Sequence, residues 1–463
     1  MPRKERCMRS VVQNELTQIV GSDRATARPE DLVAYSYDAY TAEHLPDIVL
    51  FPVSTEEVAR IMKVADREAI PVTPRGSATN VAGEAVPIRG GIVIALSRMD
   101  KILSIDPLNY RATVQPGVIN YDFQAVVARS GLLYPPDPSS WMVCSIGGNV
   151  STNAGGPKTV KYGVTRDYLL GLVVVLANGE VFNTREDKAS SNRGYNTTHL
   201  FCGSEGTLGV VTEITVRLVP RPKATRTLRA DFLKLEDSGR AVADIIGAGI
   251  VPSALELMDD VVISAVEADS RLGLPADLEG MLLVEVDGEQ ESLDPQVKRI
   301  EEVLRANNAV RVITAKSDAE AQSLWTARRA AFSVMARLRP TVVMEDATVP
   351  VSSLPTMIRK VRESSKRHEV KIGVVAHAGD GNLHPLVVFD KRDRDEVDRV
   401  RKATDEIYRE ALALNGTLSG EHGIGISKSH LLSLQLDAVA MEVTRRIKRG
   451  LDPKGILNPG KFV

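Results

Sequence analysis

Apolar residues along this chain keep two periods, and the places where one gives way to the other outline its organisation. After Ser54-Thr-Glu-Glu57, the residues Val58, Ile61, Met62 and Ala65 recur at helical spacing and predict one buried helix face. Ser54 and Glu57 form the signature of a capping box, each side chain satisfying an orphan backbone donor. Pro71-Val-Thr-Pro-Arg-Gly76 ends that helix and opens a loop. A branched apolar run at 91–96 predicts a buried strand, and further strands are predicted at 111–115 and 173–176. Asn178-Gly179, between apolar runs, predicts a type I′ hairpin turn. Ile214, Val216 and Leu218 alternate with polar residues as a half-buried strand does.

The two prolines of Val219-Pro-Arg-Pro222-Lys end that strand and predict a stiff connector. Beyond it, strand-like runs at 225–232, 281–286, 310–314 and 341–349 alternate with amphipathic helices, the pattern of an α+β sheet domain. The expected division is therefore 1–220 and 221–463. The turn-rich tail around Arg449 to Lys461 is expected to fold back on the body. No internal repeat or low-complexity segment is present.

With 463 residues, the chain has room for roughly two to three domains. Its 58 basic and 60 acidic side chains leave a net charge of -2, too little to recruit nucleic acid. Cys7, Cys144 and Cys202 are odd in number and far apart, so they support neither a disulfide framework nor an iron-sulfur cluster. No apolar run approaches the ~18 residues of a membrane span. The expectation is a cytoplasmic protein, compatible with peripheral membrane docking.

Candidate chemistry concentrates in glycine-rich segments and in two histidine segments. Pro74-Arg75-Gly76-Ser77-Ala78-Thr79-Asn80 and Ser145-Ile146-Gly147-Gly148-Asn149 continuing to Asn153 and Gly155 could turn backbone N–H groups towards a pyrophosphate. Tight turns are the competing explanation for either loop alone. A third cluster, Gly203-Ser-Glu-Gly206-Thr207-Leu-Gly209, precedes a strand, and none of these is a Rossmann fingerprint. His377-Ala-Gly-Asp380-Gly-Asn382-Leu-His384 and Glu421-His422-Gly423 together hold three of the seven histidines. Two neutral imidazoles and one carboxylate suit a divalent metal with open positions, and His422, beside Glu421, is then free to move a proton. In Trp325-Thr-Ala-Arg328-Arg329, a guanidinium could grip a carboxylate through two parallel hydrogen bonds.

Taken in order, these motifs, with Pro135-Pro-Asp137-Pro138-Ser139 and Asn458-Pro-Gly-Lys461, resemble the flavoproteins of the vanillyl-alcohol oxidase superfamily. From about Asp47 to Lys461 the chain is similar to the D-2-hydroxyacid dehydrogenase branch, which includes glycolate oxidase catalytic subunits and D-lactate dehydrogenases. The resemblance implies a two-part FAD-binding domain, an antiparallel-sheet α+β domain for substrate and metal, and a C-terminal segment, about 420–463, returning to the flavin. It places Arg75 to Asn80 and Ile146 to Asn149 near pyrophosphate and ribose, with Gly206, Val210 and Val211 nearer the adenine. The family often has glycine where this chain has Ala78. The Arg-Gly loop has no histidine, so noncovalent FAD is expected.

The same resemblance implies His377, His384 and Glu421 as ligands of zinc, iron or manganese, His422 as catalytic base and Arg328 as the carboxylate clamp. Asp380 and Asn382 would shape the loop or support the ligands, Arg329 would be solvated and Trp325 would be a packing anchor. Relatives acting on D-2-hydroxyglutarate carry a lysine near the position of Met344 and an asparagine near Leu386. Both positions are apolar here, favouring a small monocarboxylate such as D-lactate or glycolate. The alternatives are a D-2-hydroxyglutarate dehydrogenase, a non-redox flavoenzyme of the alkylglycerone-phosphate synthase type, and an electron-relay subunit. An electron-transfer flavoprotein or iron-sulfur subunit would accept electrons, and the protein could form an oligomer.

Overall fold

The computed structural model describes residues 8–184, 194–271 and 273–462, so Cys7 lies outside the described residues. The chain forms two compact units. The first comprises Met1–Ala154, Val164–Arg221 and Glu421–Val463, and the second comprises Gly155–Gly163 and Pro222–Gly420.

In the first unit, Val72–Arg75, Ile92–Ala95 and Ile48–Leu50 run parallel, with Ala25–Thr26 antiparallel at the edge. The helix Thr55–Glu68 covers this sheet with Val58, Ile61, Met62 and Ala65 fully buried. Ser54 Oγ accepts the Glu57 N–H at 3.3 Å, while the Glu57 carboxylate accepts the Val53 N–H at 2.9 Å and pairs with Arg24. Ile456 and Leu457 belong to the same apolar core, where each buried aliphatic side chain stabilises by about 1.5–3 kcal/mol.

A second sheet of this unit is antiparallel, in the order Ile102–Asp106, Arg111–Val114, Val210–Arg217, Leu169–Val175 and Val181–Asn183. Its last hairpin corrects the type I′ expectation. Gly179 has a φ of +80° whereas Asn178 is not among the positive-φ residues, and Leu176 accepts from the Gly179 N–H while donating to the Glu180 carbonyl. These bonds define a three-residue loop with glycine in the left-handed position. The Asn178 side chain instead accepts the Glu180 N–H at 3.0 Å. The connector also differs: Val219–Pro220 still pairs with Leu132–Leu133 before the chain leaves the unit.

The second unit is built on an eight-stranded antiparallel sheet. Arg311–Thr314, Ala224–Phe232, Gly280–Gly288, Ala254–Asp259, Lys371–His377, Asn382–Phe389 and Thr341–Met344 lie side by side, and Ala347–Thr348 also pairs with Asn382–Phe389. The run expected as one strand over 341–349 is thus two. Register continues across the gap, from Met344 opposite Leu386 to Ala347 opposite Leu383, but Pro385 faces Glu345 and has no N–H to return. Only the Glu345 N–H to Pro385 carbonyl bond remains, at 2.9 Å. Among the described residues no helix is long and apolar enough to cross a membrane.

Candidate functional site

The glycine loops of the first unit meet at a dense polar junction. Gly76 packs so closely on Ser145 that an added Cβ would lie 2.3 Å from the Ser145 hydroxyl, which caps the short helix Ile146–Thr152 by accepting the Gly148 N–H. Gly147 is equally confined, since its Cβ would come within 2.5 Å of Pro116. Ala78 has a φ of +54°, a left-handed backbone that is free for glycine and strained for alanine. The Arg75 side chain is turned inward, donating to the Tyr37 and Ala34 carbonyls and lying over the Tyr35 ring. It leaves backbone, with Ser77 and Thr79, as what this loop can offer a cofactor.

Asn80 donates to the carboxylates of Asp38 and Glu84. Pro138 is buried and Ser139 exposed in the following loop. Asn153 caps its helix at a φ of +55° and accepts the Arg166 N–H, and Gly155 begins the short stretch that groups with the second unit. Val210 and Val211 open the strand that pairs with Leu169–Val175, and Gly206, at +68°, packs against Pro74. Asn458 draws two of these loops together, donating to the Glu84 and Glu205 carbonyls at 2.8 and 2.7 Å. Asn149 Nδ2 and Asn120 Oδ1 are two of the buried groups left without a hydrogen-bond partner among the described residues. Unsatisfied buried amide groups beside bare glycine backbone fit a ligand rich in hydrogen-bonding groups, as a dinucleotide is.

In the second unit, a polar cluster is set into an otherwise apolar sheet face. Glu256 and His377 are direct cross-strand partners, with His377 Nδ1 2.7 Å from Glu256 Oε1. The other Glu256 oxygen lies 2.6 Å from the Arg328 guanidinium, and both side chains are buried. Burial alone would raise the Glu256 pKa, but His377 and Arg328 outweigh it and hold the carboxyl below its ordinary value. The His377 Nδ1–H therefore donates to a carboxylate, which fixes the orientation of the ring. His384 lies edge-on to His377, ring centroids 4.9 Å apart, with its own Nδ1 3.4 Å from the Glu345 carbonyl. Ligand-capable nitrogens of the two rings lie within 4.8 Å of each other. Two imidazoles oriented through Nδ1 fit a divalent metal.

Around this cluster, Arg328 is buried on the helix Asp318–Met335, with Nε unsatisfied among the described residues. Arg329 is exposed with its guanidinium over the Trp325 ring, and Trp325 donates to Glu285 at 3.0 Å. Asn382 Oδ1 accepts from the Thr348 hydroxyl, and its backbone N–H donates to Asp380. Met344 and Leu386, opposite each other, continue the sheet face as an apolar floor with Met258 and Val375.

Glu421 and His422 open the C-terminal piece of the first unit. Their side chains lie 3.8 Å apart and are largely covered. The preceding residue, Gly420, belongs to the second unit, where its N–H and the Ser419 hydroxyl both donate to Asp346. On the other flank, within the first unit, the N–H groups of Ile424 and Gly425 donate to Glu205.

Sequence reasoning missed Glu84, Glu205, Glu256, Glu345 and Asp346. The available signal was an acid inside an apolar strand run, as in Ala-Leu-Glu256-Leu-Met.

Comparison with known proteins matches residues 46–185 to the family model "FAD binding domain" and residues 221–462 to "FAD linked oxidases, C-terminal domain". The glycolate oxidase subunit GlcD of Bacillus subtilis (strain 168) is 42% identical over 452 residues, 97% of this chain and 96% of the relative. The D-lactate dehydrogenase of Anaerostipes hadrus is 35% identical over 429 residues, 90% of this chain and 89% of the relative. Among solved structures, p-cresol methylhydroxylase with substrate bound superposes with a TM-score of 0.78 at 17% identity, covering 98% of this chain and 96% of that one, a likeness of fold. With its FAD-binding domain followed by the C-terminal domain of those oxidases, the chain belongs to the family of FAD-linked oxidoreductases that resemble the vanillyl-alcohol oxidase superfamily in fold.

Proposed function

We propose that this protein oxidises a small 2-hydroxy acid, glycolate or D-lactate, to the 2-oxo acid. The observation that carries the reading is the buried arrangement of Glu256, His377 and His384 on one sheet face with Arg328 from the helix Asp318–Met335: a cation for a carboxylate beside two imidazoles oriented for a metal. The names of the two relatives support the substrate class. Glu421, one peptide bond beyond the anchored Gly420, is proposed as the third ligand, completing a His-His-carboxylate set.

A divalent metal in that set would act as a Lewis acid on the substrate hydroxyl, lowering its pKa. Bound FAD would supply the two-electron acceptor. Arg328 would hold the substrate carboxylate through its guanidinium fork and so orient the α-carbon. His422 would take the hydroxyl proton as the α-hydrogen leaves with its electron pair. The apolar floor of Met344 and Leu386 supports a substrate with one carboxylate, because a second would be buried without a cation.

Without a histidine in the Arg75–Asn80 loop, noncovalent binding of FAD is the consistent reading. The relative's name as an oxidase subunit supports a separate electron acceptor, for which an electron-transfer flavoprotein or an iron-sulfur subunit is proposed. The proposed setting is the cytoplasm, at most peripheral to a membrane.

The test is an anaerobic absorbance spectrum of the flavin-loaded protein before and after separate addition of glycolate, D-lactate, L-lactate and D-2-hydroxyglutarate. Bleaching near ~450 nm by glycolate or D-lactate is the expected result. Selective bleaching by D-2-hydroxyglutarate would move the substrate class. No bleaching by any acid would overturn the proposal.

A further inference from the structure

The turn that follows His422 is gripped by a glutamate outside the ligand and base set. Glu205 accepts the Ile424 N–H on Oε1 at 2.7 Å and the Gly425 N–H on Oε2 at 2.9 Å, so one buried carboxylate spans both amides. Glu205 itself has a φ of +53°, a left-handed backbone that is strained for a non-glycine residue. That strain persists where the side chain forms two charge-assisted hydrogen bonds. Asn458 fixes the Glu205 carbonyl, and Lys428 Nζ donates to the Gly423 carbonyl at 3.2 Å.

Gly423, at +85°, faces Glu205 and a second carboxylate. A Cβ there would sit 2.6 Å from Glu84 Oε1 and 2.8 Å from Glu205 Oε1. Two carboxylates this deeply buried do not both ionise. Burial first, and then the Glu205 charge, push Glu84 up to about 8. Burial raises Glu205 too, but the two amide donors favour its ionised form. Glu84 is thus the neutral member, and Glu205 the acceptor for the turn.

We propose that Glu205 is a positioning residue whose side chain, through the amides of Ile424 and Gly425, fixes the turn that presents His422 to the substrate. The inference rests on His422 acting as the base. Because that imidazole moves a proton and does not hold the acid, its misplacement costs rate and leaves affinity largely intact.

The experiment is anaerobic stopped-flow reduction of flavin-loaded wild type, Glu205→Gln, Gly423→Ala and His422→Ala by glycolate and by D-lactate. Glu205→Gln keeps one acceptor oxygen and turns an NH2 group towards the other amide. Gly423→Ala pushes on the same turn from the side of the two carboxylates, so either folded variant suffices. The expected result is a limiting reduction rate at least ~10-fold lower, with flavin content and spectrum retained and the half-saturating acid concentration within twofold of wild type. A folded Glu205→Gln protein that reduces at the wild-type rate beside a slow His422→Ala overturns the positioning role alone. A wild-type rate in His422→Ala overturns the base assignment and the inference with it. A lower rate and flavin content together with a raised half-saturating acid concentration in Glu205→Gln would mark a merely structural role and overturn the inference.

Discussion

His377 and Glu256 face each other across adjacent antiparallel strands, and the 2.7 Å bond between Nδ1 and Oε1 fixes the orientation of the imidazole. Glu256→Gln keeps the shape but removes the charge shared with Arg328. Affinity for a divalent metal should fall by about 10- to 100-fold, read by competition against a chromogenic chelator. Unchanged affinity would detach His377 from metal binding.

Removal of metal by chelation should leave the flavin spectrum in place and abolish reduction by glycolate or D-lactate. Re-addition of zinc, iron or manganese should restore it and rank the three. Full reduction in metal-free protein would refute the ligand set of His377, His384 and Glu421.

Arg328→Lys replaces a planar fork with a point charge at a position buried against Glu256. The half-saturating acid concentration in steady-state turnover should rise by about 10-fold or more, with a smaller change in maximal rate. Unaltered saturation would move the clamp elsewhere, first to Arg329.

Glu84 predicts a pH-dependent stability. Its folded pKa of about 8 stands above the ordinary 4.5, so between these values the native state holds a proton that the unfolded chain releases. The associated stability is full below the lower value and is lost as pH rises through the upper one. Thermal unfolding from about pH 5 to 9 should therefore show a decline in wild type that is flattened in Glu84→Gln. Equal slopes would contradict the shift.

Local features of the fold were legible where neighbouring residues decide them. The buried face of Val58, Ile61, Met62 and Ala65 follows from spacing alone, as does the alternation at Ile214, Val216 and Leu218. The Asn178-Gly179 turn was misread because the two-residue and three-residue loops share the same dipeptide, and only strand register tells them apart. The break at Glu345-Asp346 depends on Pro385, some forty residues away and visible as its cause only after the strands pair. Histidines in glycine-rich segments stood out in the sequence as candidates. Glu205 and Glu256 did not, since each acquires its meaning from partners more than a hundred residues distant.

The first unit is assembled from pieces that synthesis delivers far apart in time. The chain leaves it at Arg221 and returns at Glu421, and only then arrive Leu457, which bridges to Val72, and Asn458, which ties the Glu84 and Glu205 carbonyls. A nascent chain on the ribosome must carry the first unit unfinished, its core short of Ile456 and Leu457, until the returning segment has emerged. A messenger truncated after the second unit would yield a first unit without the apolar residues Ile456 and Leu457 and without the Asn458 ties between its loops.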